Sequence, residues 1–258
     1  MDLNKAKQEF LIYIKKYDNT NFQIKRKIDH SFRVMELSRQ IAESIGLNKE
    51  EIDLANLIGL LHDIGRFEQM TIYHTFNDNI SIDHGNFGAD ILKKDNYIRN
   101  YITEEKYDDI IYTAIKNHNK FKIENNLDDT KLLFSKIIRD ADKIDILYQG
   151  TCISWSNTID EIENGKLVEE SIRPFLEKRP VNRYKDFKQQ SAQINHLLTV
   201  LGFTFDFNFD FSYKFIKEKD YMNKIIDRFI FKDKETKELI EKVRSIINIY
   251  IDTKLKGW

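Results

Sequence analysis

Five stretches of the chain repeat apolar residues at helical spacing, and each carries an ionisable side chain on or at the end of its apolar stripe. Between 28 and 46, His30, Val34, Leu37, Ile41 and Ile45 follow i, i+4, i+7, i+11 and i+15. That spacing puts His30 on the inward face of an amphipathic helix ending at Gly46. Asn48 followed by Glu51 reads as an N-cap with a reciprocal carboxylate. It opens an apolar helix that runs through Leu54, Leu57, Ile58 and Leu61 to His62-Asp63, where Gly65 is expected to end it with Arg66 beyond. Asp83 is placed to cap a helix carrying His84, Phe87, Gly88, Ile91 and Leu92. Thr103 is placed to cap another, with Tyr107, Ile110 or Ile111, Ala114 and His118 inward. A long helix over 128–148 has the stripe Leu133, Ile137, Asp140, Ile144, Leu147, so a carboxylate again faces the core.

A sequence with two prolines and nine glycines in 258 residues favours long helices over strands and tight turns. The expectation is an all-α chain, a single compact helical bundle over 1–258. The inward ionisable residues fall within a core over about 28–146, and a helical C-terminal extension spans about 151–258. A further helix is expected near 3–17, and amphipathic helices over 183–201 and 213–252. Residues 66–82 read as irregular. The alternation of Phe203, Phe205, Phe207, Phe209 and Phe211 with polar residues predicts an extended segment. No Pro- or Ser-rich linker or internal repeat divides the chain.

The formal charge of −1 offers no extended nucleic-acid surface, and no apolar run is long enough for a membrane span. The single Cys152 excludes an intrachain disulfide and any multi-cysteine metal site. A cytoplasmic setting is expected.

Gathered together, the inward polar residues are His30, His62, Asp63, His84, His118 and Asp140. A buried charge without a partner costs several kcal/mol, so five helices aiming such groups inward imply something shared at their centre. Divalent ions meet that need. His30, His62, Asp63 and Asp140 can hold one; His84 and His118 complete a second, with Asp63 bridging. Two ions about 3.5–4 Å apart can clamp a phosphoryl group and activate water. Fe, Mn, Co, Zn and Mg all suit histidine and carboxylate donors.

This order, H…HD…H…H…D on successive helices, resembles the HD superfamily of metal-dependent phosphohydrolases. The matching pieces are His30-Ser-Phe-Arg-Val34, Leu60-Leu-His-Asp-Ile-Gly-Arg66, Asp83-His-Gly-Asn-Phe-Gly-Ala89, Ile115-Lys-Asn-His118 and Ile138-Arg-Asp-Ala-Asp-Lys-Ile-Asp145. The resemblance implies an all-α fold and hydrolysis of a phosphate ester, a nucleotide or another small phosphorylated molecule, with a metal-bound hydroxide as nucleophile. The presence of both middle histidines looks like the branches with two ions. Asn119-Lys120 stands where the branch that cleaves cyclic dinucleotides has a second histidine and a glutamate, so that substrate class is not expected.

Asp63 and Arg66 are the candidate catalytic pair, and Arg66, Arg33 and Lys143 the candidate cations for substrate phosphate. Asp142 and Asp145 are candidates to orient a ligand histidine. His74 lies in the stretch after Arg66 and is more often structural. Two other readings share the ligand set: a di-iron oxygenase, and a non-catalytic module in which the ion is structural.

Overall fold

The computed structural model describes residues 1–152, 155, 158–183, 185–187 and 193–257, and no strand occurs among them. Contacts divide the chain into two compact units, Met1–Asp142 and Lys143–Trp258. The first unit holds four of the five sequence stretches described above and the fifth as far as Asp142.

Helix α1, Leu3–Ile14, starts where Asp2 accepts from the Asn4 and Lys5 backbone N–H groups. Helix α2, Phe22–Ser44, begins earlier than its apolar stripe predicts, because the Asn21 side chain caps it. Gly46 follows in the left-handed conformation, at φ 74°, that a side chain disfavours. Helix α3, Lys49–Leu61, opens on the expected Asn48–Glu51 capping box.

Two helices then depart from expectation. Helix α4, Ile64–Tyr73, takes up residues 66–73 of the stretch read as irregular, and Gly65 lies inside it rather than ending α3. The break falls at His62-Asp63, and His74 ends α4 in a left-handed conformation at φ 52°. A Cβ on Gly65 would stand 2.7 Å from Gly88 N and from His84 O, so this glycine serves close packing between helices. Helix α5, His84–Lys93, has Asp83 as its N-cap, as predicted. Helix α6, Asp108–Asn117, starts later than Thr103, which is followed by a short 3₁₀ turn at Glu105–Tyr107.

Helix α7, Asp129–Cys152, runs from the first unit into the second. Within the first unit, α2 packs on α3, α4 on α5 and α5 on α6, with α1 against α3. Tyr13 donates through its hydroxyl to Ile64 O, so α1 supports the backbone next to Asp63.

In the second unit the helices are α8 (Ile159–Glu163), α9 (Arg173–Leu176), α10 (Gln193–Leu201), α11 (Asp210–Glu218), α12 (Tyr221–Ile226) and α13 (Lys234–Lys256). The helix expected over 183–201 is present only as α10, and residues 184 and 188–192 of that stretch lie outside the described residues. The phenylalanine row is not one extended segment. Gly202–Asp206 forms a 3₁₀ turn in which Thr204 is fully buried and donates to Leu201 O. Phe207 and Phe209 alone flank a short extended stretch before α11. Phe205 packs edge-on against Phe175 and Tyr250, and Phe207 against Tyr213. Among the described residues no helix is long and apolar enough to cross a membrane.

Candidate metal centre

Three close helix approaches bring the histidines together. A Cβ on Gly59 would lie 2.7 Å from Met35 Cα, so α3 can sit almost backbone to backbone on α2. His30 and His62 meet there, with their Nε2 atoms 3.1 Å apart. Gly65 allows α4 onto the start of α5, where His84 stands. Gly85, whose Cβ would be 2.7 Å from Asn119 Oδ1, allows α5 onto the end of α6, where His118 stands. The Nε2 atoms of His84 and His118 are 2.9 Å apart.

Asp63 sits between the two pairs and offers one oxygen to each. Its Oδ2 is 3.4 Å from His30 Nε2 and 3.5 Å from His62 Nε2. Its Oδ1 is 3.4 Å from His84 Nε2 and 3.6 Å from His118 Nε2. All five side chains are buried. Two overlapping ligand groups result, His30–His62–Asp63 and Asp63–His84–His118.

The carboxylate that α7 brings to this cluster is Asp142, whose Oδ1 lies 3.1 Å from His30 Nε2 and 3.7 Å from His62 Nε2. Asp140, expected in that role, is fully buried; the two ligand groups contain neither carboxylate, and the distances to His30 and His62 are what single out Asp142. Residues 140 and 142 are about 200° apart around a helix, so they serve different faces. Both faces of this part of α7 are buried, as Arg139, Ala141 and Ile144 show, and the apolar stripe therefore could not choose between them. The same helix fixes the end of α6. Arg139 Nη1 donates to Asn117 O at 3.0 Å and to Lys120 O, so a buried guanidinium meets the negative end of the helix that carries His118.

The hydrogen bonds behind the rings define what the Nε2 atoms can do. His62 Nδ1 donates to Gly59 O at 2.8 Å and His118 Nδ1 to Ile115 O at 2.6 Å. A carbonyl only accepts, so each of these rings turns a bare lone pair toward the centre. His84 Nδ1 meets Asp78 Oδ2 at 2.5 Å and is in the same state. Protonation does not relieve this crowding of lone pairs. Burial pushes the His62 imidazole down to about 3 and the His84 imidazole down to about 4.

Burial works to raise the Asp63 carboxyl, but the Lys27 ammonium and the neighbouring rings outweigh it and hold it well below the ordinary range. Asp63 Oδ1 is buried without a hydrogen-bond partner. Converging lone pairs, an orphaned carboxylate oxygen and a nitrogen–oxygen donor set are the chemistry of a divalent-ion site. The residues fit such an ion.

Arg66 is turned mainly toward its own loop. Its Nη1 donates to Gln69 Oε1, Phe76 O and Asp78 Oδ1 at 2.7–2.9 Å, and its Nε is 3.6 Å from Asp63 Oδ1. Arg33 is half-buried on α2, three residues beyond His30. Lys143 lies in the second unit and pairs with Asp206 at 2.6 Å. His74 is exposed.

Two residues at the cluster were not anticipated. Lys27 Nζ lies 2.6 Å from Asp63 Oδ2, and its position one turn before His30 was the available signal. Asp78 comes from the Asn77-Asp78-Asn79 turn, where no periodicity points inward.

An all-helical scaffold that gathers four imidazoles around one shared, buried carboxylate belongs with proteins whose histidine–aspartate cluster could hold a metal ion. Residues 28–147 match the family model described as the HD domain, and this stretch of the chain is an HD domain. The family, whose members are mostly metal-dependent phosphohydrolases, is the one that the sequence motifs resemble. No curated protein and no solved structure matches the chain.

Proposed function

We propose that this protein is a metal-dependent phosphohydrolase that cleaves a phosphate ester in a nucleotide or another small phosphorylated molecule. The observation that carries the reading is the division of Asp63: one oxygen faces His30 and His62, the other faces His84 and His118. That arrangement suits a bridging ligand between two cations. His30, His62, Asp63 and Asp142 would hold one ion, and Asp63, His84 and His118 the other. Divalent ions bound there would supply Lewis-acid activation of water and of a phosphoryl oxygen.

The chain's own residues support that chemistry in stated ways. The backbone carbonyls of Gly59 and Ile115 fix the tautomers of His62 and His118, so both present acceptor nitrogens without rearrangement. Lys27, with its side chain 16% exposed, places an ammonium at the edge of the cluster, where its flexible stem can reach a phosphate oxygen. Arg33 is a second candidate for that contact, and Arg66 acts through Asp78. A single cysteine, left reduced, is compatible with a cytoplasmic location.

The test is elemental analysis of freshly purified protein and of an Asp63→Ala variant, beside phosphate release from a panel of phosphate esters. About two equivalents of Mn, Fe, Co or Zn, lost in the variant together with phosphate release, is the expected result. Two irons with oxygen consumption and no phosphate release would replace the hydrolase by a di-iron oxygenase. Metal that raises only the melting temperature would leave a structural module. Wild-type protein that binds none of these ions would overturn the metal reading itself.

A further inference from the structure

The loop between α4 and α5 has no helix of its own, yet one of its side chains gathers donors from several elements. Asp78 Oδ2 takes His84 Nδ1 at 2.5 Å and Asn119 Nδ2 at 3.2 Å. Asp78 Oδ1 takes Arg66 Nη1 and Gln69 Nε2, each at 2.9 Å. Those partners belong to α4, to α5 and to the segment after α6. Gln69 is fully buried and donates also to Ser81 Oγ at 2.9 Å and Ile82 O at 3.0 Å. Arg66 donates to Phe76 O at 2.7 Å and lies over the Phe76 ring.

We infer that Asp78 is a positioning residue for His84, and that the Arg66–Asp78–His84 chain makes the α4–α5 loop part of the second ligand group. The inference rests on the metal reading above and deepens it. His84 is the first residue of α5, with no preceding helical turn to pack its ring. A carboxylate on Nδ1 fixes both the ring plane and the tautomer, and it makes Nε2 a stronger donor than a carbonyl partner does. The histidines are therefore held differently. His62 and His118 lean on backbone carbonyls of their own helices, whereas His84 leans on a charged side chain from a loop. Through His84, the second position answers to whatever moves that loop. Arg66 holds Asp78 in place from α4 and so acts on the ion through two other residues.

Two variants and two readouts test this. Asp78→Asn keeps the shape and removes the charge; Asp78→Ala removes the acceptor. Titration of metal-free protein with Mn²⁺ or Co²⁺ in a calorimeter should show one equivalent weakened about 10- to 100-fold, with Ala the worse, and the other within about twofold of wild type. Nitrogen-15 spectra of the metal-free protein should show His84 protonated at Nδ1 in wild type and exchanging between tautomers in Asp78→Ala. Unchanged affinities and unchanged His84 shifts in both variants would overturn the inference. So would loss of both equivalents together, which would mark Asp78 as a general support of the fold. If wild type takes up no metal the proposed function falls, while the His84 shift still decides whether Asp78 sets its tautomer.

Discussion

The Lys27 ammonium lies 2.6 Å from Asp63 Oδ2, the same oxygen that faces His30 and His62. A cation of the chain and a divalent ion thus draw on one carboxylate oxygen. In metal-free protein the ion pair compensates a buried charge, and deleting the lysine leaves Asp63 without it. Removing one partner of a buried pair costs about 3–5 kcal/mol, and the partial exposure of Lys27 places it near or below the low end. With metal present the sign reverses, because the ammonium repels a dication. Lys27→Met should lower the melting temperature of metal-free protein and tighten metal binding, by about tenfold for a 1.4 kcal/mol gain. Calorimetric titration beside melts with and without chelator checks both signs; a variant that melts like wild type in chelator would remove the argument.

The assignment of the α7 ligand separates two neighbouring carboxylates. Asp142 stands 3.1 Å from His30 Nε2, and Asp140, two residues earlier on the same helix, is fully buried. Asp142→Ala should lose metal content while retaining the helical spectrum. Asp140→Ala should retain metal content and show its cost in the melting temperature. The opposite pattern would return Asp140 to the role its apolar stripe suggested.

Much of the scaffold was legible because local signals agree with tertiary contacts. His30 continues the stripe of α2, the Asn48–Glu51 box starts α3, and Asp83 starts α5. Gly65 misled for a physical reason: a glycine after an apolar helix resembles a terminator, and nothing local shows that Gly88 and His84 approach it. The α7 carboxylate was ambiguous because Arg139, Asp140, Ala141 and Ile144 are all buried, so burial on more than one side of the helix gave the reading no orientation. Asp78 was invisible because its role depends on a loop folding back onto α4, α5 and the end of α6. The alternating phenylalanines failed because burial of Thr204 breaks the period of two.

Acid should weaken the metal-free protein well above the ordinary carboxylate range. The folded imidazoles of His62 and His84 are pushed down to about 3 and about 4, while the unfolded value is about 6.5. Between those limits the unfolded chain binds protons that the folded chain refuses, so stability rises with pH through this window and falls on acidification. Each fully discriminating histidine contributes about 1.4 kcal/mol per pH unit. Asp63, Asp78 and Asp142, all held low, add loss of the same sign at still lower pH. Melting temperatures of metal-free protein should be level above about pH 7 and fall steadily toward about pH 4.5. A level profile across that range would mean that these rings are not buried as neutral bases.

Gly65→Ala sets a helix preference against a packing clash. Gly65 lies inside α4, where alanine is favoured over glycine by about 1 kcal/mol at an open site. Here the added methyl would meet Gly88 N and His84 O at 2.7 Å, and both are backbone atoms of the neighbouring helix. Neither can rotate away, so α4 and α5 must separate. Overpacking of that kind costs about 1–3 kcal/mol, enough to cancel the helix gain and in most of that range exceed it. The separation also carries His84 away from His118 and Asp63. The variant should therefore melt lower than wild type and lose affinity for one metal equivalent more than for the other, a pairing that melts and calorimetry can read on one sample. A variant that melts higher, with both equivalents intact, would show that the helices slide apart at no cost and that the glycine is not what sets their approach.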